Sequence, residues 1–265
     1  MREFTNKLFL VLCLSFFVSS FSQAAIVTKN IVYKDGKKVL AGFMAYDDST
    51  TVKRPGVLII HEWTGINNYI KRRAVEIAQL GYVAFAADMY GQNIRPASAT
   101  EAAKISALYK NDRPLMRTRA LAGLKVLQDS PLVDANKLAA MGYCFGGTCA
   151  LELARSGAPL KGTVSFHGIL DTPEPSLAKN IRGEVLVLHG AADPYAPAAQ
   201  VAAFRKEMEE GGVKYKVILY PGAVHAFTNP DSGNDPKKGA AYNPVADRKS
   251  WQEMVKFFKK IFSNP

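Results

Sequence analysis

From residue 56 onward, short apolar runs alternate with stretches of helical periodicity, and that alternation leaves few architectures open. Gly56–Ile60, Tyr82–Ala87 and Val185–Leu188 are continuously apolar, as strands buried on both faces are. Between the first two, Tyr69–Leu80 places Ile70, Ala74, Ile77 and Ala78 on one helical face and stops at Gly81. The pattern then predicts a helical stretch over Ala99–Gln128, a strand near Lys137–Met141 and a helix over Phe145–Arg155. A strand at Gly162–Phe166, a helix at Pro197–Glu210, a strand at Lys214–Tyr220 and a closing amphipathic helix at Asp247–Phe262 complete it. Ahead of all these, Ile26–Tyr33 and Val39–Tyr46 read as a hairpin around Lys34–Lys37. The order implies an α/β fold: a mostly parallel sheet with helices on both faces. No gap has the composition of a linker and no repeat is visible, so residues 25–265 are expected to form one domain.

Residues 1–24 read as a signal peptide instead. Arg2 and Lys7 precede an apolar run of 14 residues, Leu8–Phe21, and small Ser22 and Ala24 suit cleavage after Ala24. The run falls short of the roughly 20 residues that span a bilayer. A periplasmic or secreted protein without stable membrane insertion is therefore expected. Cys13 follows Leu12 rather than a small residue, which argues against lipidation. Beyond the signal only Cys144 and Cys149 remain, too few for a disulfide framework.

The chain carries a formal charge of +11, which could suggest a polyanionic partner. Its basic residues are scattered, however, and the densest clusters, Lys71-Arg72-Arg73 and Lys259-Lys260, belong to amphipathic helices. No nucleic-acid motif accompanies the charge, so no nucleic-acid partner is expected. The four histidines lack metal-ligand spacing, and no metal or organic cofactor is implied.

The chemistry concentrates in Gly142-Tyr143-Cys144-Phe145-Gly146, set between an apolar strand and a helix. A nucleophile elbow needs this pattern: glycines two residues either side let strand and helix pass closely around a strained turn. The helix N-terminus then favours thiolate. Cys149, further along the same helix, reads as core.

A nucleophile of this kind requires an acid and a histidine later in the chain. Asp193 follows the strand Val185–Leu188, and His225 follows the strand ending at Tyr220. Cys144, Asp193 and His225 thus occur in the required order, each just past a strand end, where Asp193 would orient His225 and His225 would move protons. His167 and His189 also end strands and are read as structural. On position alone, Glu62 reads as a solvated loop residue.

These motifs, together with His61-Glu62-Trp63-Thr64-Gly65, His189-Gly190 and His225-Ala226-Phe227, make the chain resemble the dienelactone hydrolase family of the α/β-hydrolase fold. The resemblance implies a hydrolase cleaving a small-molecule carboxylic ester or lactone through a thioester at Cys144. It implies further that Glu62 contacts the resting thiol and helps remove its proton. The oxyanion hole would use the backbone N–H of Phe145 and, by the resemblance, that of Trp63. Dienelactone-cleaving members carry two arginines where this chain has Gln92 and Asn229, with Arg95 close to the first. These three are the candidate substrate-binding residues, and the resemblance supports the hydrolytic chemistry better than the dienelactone substrate. Two other classes stay open: a non-catalytic binding or scaffold protein on the same fold, and a peptidase or thioesterase of the same superfamily.

Overall fold

The computed structural model describes residues 25–263; the expected signal segment, with Cys13, lies outside them. Eight strands form one sheet: β1 (Ile26–Asp35), β2 (Lys38–Asp47), β3 (Arg54–Ile60), β4 (Val83–Ala87), β5 (Val133–Tyr143), β6 (Gly162–Phe166), β7 (Glu184–Gly190) and β8 (Tyr215–Tyr220). Their order is β1-β2-β4-β3-β5-β6-β7-β8. The hairpin β1–β2 is antiparallel, β2 meets β4 antiparallel, and every later pairing is parallel.

Side chains alternate across the central strands and so feed two cores. In β3, Val57 and Ile59 join a cluster with Ile70, Ala74 and Ile77 of α1 (Asn68–Gln79) and Met254, Phe258 and Ile261 of α6 (Pro244–Ser263). Leu58 and Ile60 face the other way. They pack with Met116, Ala120 and Leu124 of α3 (Arg113–Gln128) and Cys149, Ala150 and Leu153 of α4 (Phe145–Arg155). A third cluster joins Val185 and Val187 of β7 to Phe204 and Met208 of α5 (Ala198–Glu210). Each fully buried side chain of this size contributes about 1.5–3 kcal/mol, which is why the continuous apolar runs end up in the sheet centre.

The helical stretch expected over Ala99–Gln128 is two helices, α2 (Ala99–Asn111) and α3, with Asp112 between them. Asp112 leaves the helical region at φ −127° and ψ 85°, and its carboxylate accepts the Leu115 N–H at 2.9 Å. Pro114 supplies no donor for a helix continuing from α2, so the chain restarts with a new cap. Strand β5 begins earlier than its apolar pattern, because Val133 and Asp134 pair with Arg54 and Pro55 before the register shifts.

The parallel strands all end on one edge of the sheet. Glu62 follows β3, Cys144 follows β5, His167 follows β6, Asp193 follows β7 and His225 follows β8. Loops at this edge are where open α/β sheets carry their ligands. Among the described residues, no helix is long and apolar enough to cross a membrane.

Candidate active site

Cys144 occupies the turn from β5 into α4 with φ 54° and ψ −119°, a conformation non-glycine residues reach only with strain. The neighbouring glycines make that turn possible. A Cβ on Gly142 would collide with the backbone of Gly146, and one on Gly146 would collide with the carbonyl of Ile60 at the end of β3. At the start of α4 the Cys144 carbonyl accepts the Gly147 N–H, and the side chain makes no capping bond. Its sulfur is therefore free to leave the helix.

That sulfur lies 3.0 Å from Nε2 of His225, and Nδ1 of His225 lies 2.7 Å from Oδ2 of Asp193. Asp193, only 4% exposed, is fixed in turn by the Tyr195 N–H, which donates to its Oδ1 at 2.9 Å. The carboxylate can only accept, so Nδ1 carries the proton and Nε2 faces the thiol. Burial works against a charged His225, but Cys144 and Asp193 outweigh it and push its pKa up to about 10. The sulfur and the carboxylate thus favour a protonated His225 between them.

Glu62 lies equally deep, at 4% exposure, against the expectation of a solvated loop position. Its Oε2 accepts the Asn229 Nδ2–H at 2.6 Å, while Oδ1 of Asn229 accepts the Asp231 N–H at 3.0 Å. That second bond orients the amide, leaving its NH₂ for Glu62. Burial raises the Glu62 carboxyl to about 7; the Asn229 amide and His225 pull the other way, and Asp231 adds to the rise. The carboxyl thus meets Asn229, while the thiol meets His225.

Phe145 and Trp63 both line the cavity beside Cys144. Phe145 opens α4, where first-turn N–H groups have no helical acceptor. The Trp63 carbonyl receives the Tyr90 hydroxyl at 2.8 Å, which fixes that loop. His61 holds it from behind: its Nε2 accepts the Met89 N–H at 3.2 Å, so Nδ1 donates to the Glu62 carbonyl at 2.6 Å. Burial keeps His61 neutral, at about 4.

The cavity measures about 520 Å³. Of the three candidate substrate-binding residues, only Asn229 lines it. Arg95 instead donates to the carbonyls of Ile94, Gly91 and Ala41 and stands 3.7 Å from Asp88. Asp88 is fully buried, and a nearby guanidinium together with the Ala41, Tyr90 and Gly91 N–H groups compensates it. Gln92 is exposed, its backbone N–H bonded to the Val39 carbonyl. Among the lining residues that sequence reasoning missed are Lys110, Tyr195 and Asp231. Tyr195 sets its ring edge-on to His225 with 5.2 Å between centroids. Lys110 ends a helix whose spacing marks it only as solvated, and no local signal points it at a cavity. Among the described residues, no group of three His, Cys, Asp or Glu side chains could hold a metal ion.

A tight strand-to-helix turn at Cys144 after the fifth strand of a mostly parallel sheet, with Asp193 and His225 on the loops after β7 and β8, is the arrangement of an α/β-hydrolase. The model of the dienelactone hydrolase family matches residues 40–262, and the chain belongs to that family. It is 38% identical to the solved structure m3DLH at a TM-score of 0.86, with 90% of this chain and 99% of that one covered. It is 37% identical, at a TM-score of 0.85 and the same coverage, to the dienelactone hydrolase-like promiscuous phosphotriesterase P91 from metagenomic libraries. A Bradyrhizobium sp protein named "Probable 2-oxo-3-(5-oxofuran-2-ylidene)propanoate lactonase" is 29% identical over 79% of this chain and 85% of its own length.

Proposed function

We propose that the protein is an exported hydrolase of carboxylic esters or lactones, working through Cys144, His225 and Asp193 with a thioester intermediate. The observation that carries this reading is the chain of contacts at the sheet edge, 3.0 Å from Sγ to Nε2 and 2.7 Å from Nδ1 to carboxylate. Sγ attacks the carbonyl carbon while its proton resides on Nε2. The oxyanion turns to the Phe145 and Trp63 N–H groups, each such donor contributing about 3–4 kcal/mol. Collapse expels the alcohol, which takes the proton from His225, and leaves an acyl group on sulfur. Water then gives a proton to Nε2, attacks the thioester and releases the acid. Glu62 serves as a second proton-exchanging group at the cavity floor. Export is supported by the basic, apolar and small-residue order of residues 1–24.

The cavity's charge favours a neutral substrate. Glu62 and Asp231 face it, Asn229 carries no charge, His225 is paired with Asp193, and Lys110 is the one lysine or arginine among its lining residues. Kinetics on wild type and Cys144→Ala, with a neutral short-chain aryl ester and an anionic dienelactone, test the reading. The neutral ester should be the better substrate, and Cys144→Ala should lose at least about 10³-fold in kcat. Turnover surviving in Cys144→Ala would sink it. The similarity to P91 favours a second reaction at the same sulfur, attack on an aryl phosphotriester, which the same two proteins test.

A further inference from the structure

Three of the four non-glycine residues with positive φ among the described residues lie in the three segments around the Cys144–His225 contact. They are Cys144 at 54°, His167 at 40° and Ala226 at 55°. Each costs about 1–3 kcal/mol and persists only where its surroundings over-determine it. One imidazole touches the elements that carry the other two. His167 is fully buried, and its Nδ1 accepts the Cys144 N–H at 3.0 Å, a donor shared with the Phe166 carbonyl. Its Nε2 lies 2.7 Å from Oγ1 of Thr228, three residues beyond His225. Because Nδ1 accepts, Nε2 must hold the ring proton and donate it to Thr228.

The chain of contacts continues outward. Oγ1 of Thr228 lies 2.7 Å from the Tyr69 hydroxyl, which also receives the Arg73 Nε–H at 3.4 Å. Arg73 donates separately to the Thr228 carbonyl at 3.1 Å and pairs with Asp247. Thr228 is therefore held by both side chain and backbone. The His167 ring meets His225 edge-on at 5.3 Å between centroids and Phe227 at 5.1 Å.

We propose that His167 is a positioning residue, bracing the strained nucleophile turn against the histidine loop so that Sγ and Nε2 stay in register. The inference rests on the reading of Cys144 as nucleophile. Burial and the facing His225, His189 and Arg73 hold His167 neutral, well below the usual histidine range. It therefore acts through a fixed tautomer and carries no proton in the reaction. A displacement of about 1 Å between reacting groups can cost 10²-fold in rate, so the brace acts on kcat and leaves substrate binding alone.

Thr228→Val tests this at nearly constant volume. It removes the acceptor for Nε2–H, so the ring shifts to the Nδ1–H tautomer, which confronts the Cys144 N–H donor. The expected result is a kcat lower by roughly 10- to 100-fold with KM within about twofold. Alkylation of Cys144 by iodoacetamide, followed by mass spectrometry across pH, should shift toward alkaline values as sulfur loses its imidazolium partner. Thr228→Ser, which retains the hydroxyl, should recover most of both. If Thr228→Val does not fold, His167→Asn replaces it. Asparagine tolerates the positive φ and can accept the Cys144 N–H, but cannot reach Thr228, so the same kcat deficit is expected. Wild-type kcat and a wild-type alkylation profile in the folded variant would overturn the brace, as would a rate loss matching only a fall in folded fraction. Alkylation needs no substrate, so an ill-chosen ester leaves this test intact, whereas turnover in Cys144→Ala strikes the underlying reading instead.

Discussion

Glu62 and Glu152 are both deeply buried glutamates, at 4% and 0% exposure, yet they occupy opposite electrostatic settings. Glu152, on α4, receives Arg155 at 3.0 Å on one oxygen and Arg117 at 2.7 Å on the other. Arg155 also clasps Glu207 with two bonds of 2.7 and 2.8 Å. Glu62 meets a single neutral donor, the Asn229 amide, and burial raises it to about 7. Depth alone therefore does not set a carboxylate's proton affinity. The charge of its partner does. Two guanidiniums tie Glu152 to α3, α5 and the loop after β6, while an amide leaves Glu62 free to change protonation near neutral pH.

The largest effect should come from breaking the paired side. Arg155→Met leaves two buried carboxylates short of a partner, which costs about 3–5 kcal/mol. Thermal unfolding should then show Tm lower by roughly 10 °C, with turnover per folded molecule close to wild type.

Glu62→Gln should move stability the other way, with a defined pH dependence. The native state raises the Glu62 pKa from 4.5 to about 7, so folding binds its proton more tightly. That contribution is complete below about pH 4.5 and disappears as pH climbs through about 7. Glutamine imitates the protonated form throughout. Its Tm advantage over wild type should be absent at low pH, grow between about 4.5 and 7, and level off above, with a ceiling of about 3 kcal/mol. Unfolding curves at several pH values check this, and a pH-independent difference would contradict it. Asn229→Asp sharpens the contrast further by replacing the amide with a like charge. A limb of the kcat/KM profile near pH 7 should move up by about one unit. The smallest effect belongs to Lys110→Met. An exposed cation at a cavity mouth contributes about 0.2–1 kcal/mol, so KM for an anionic ester should rise only a few-fold.

The sheet was legible because its central strands are buried on both faces and its helices on one, patterns that periodicity records directly. Cys144, Asp193 and His225 were legible for a related reason: strand ends are local features, and parallel strands bring their ends to one edge. What escaped depended on distant partners. Glu62 and Asn229 touch across 167 positions, so neither burial nor proton affinity had a sequence signature. Arg95 lies close to the position of a substrate clamp, but the need to compensate a buried Asp88 claims it. Lys110 lines the cavity from the last turn of α2, just before the break at Asp112, a break whose consequence no spacing reveals. His167 was read as structural, and its contact with the Cys144 N–H emerges only when β5 and β6 lie side by side.

The glycines flanking Cys144 have a consequence for evolution. Backbone fills the space where side chains would stand at 142 and 146, so neither glycine can take a side chain without moving strand or helix, whereas position 144 carries one. There, cysteine and serine differ by a single atom on an unchanged mount. A soft sulfur nucleophile can be exchanged for a hard oxygen one by one substitution, without remodelling the strand, the helix or the histidine that serves both. The mount is thereby separable from the chemistry it presents.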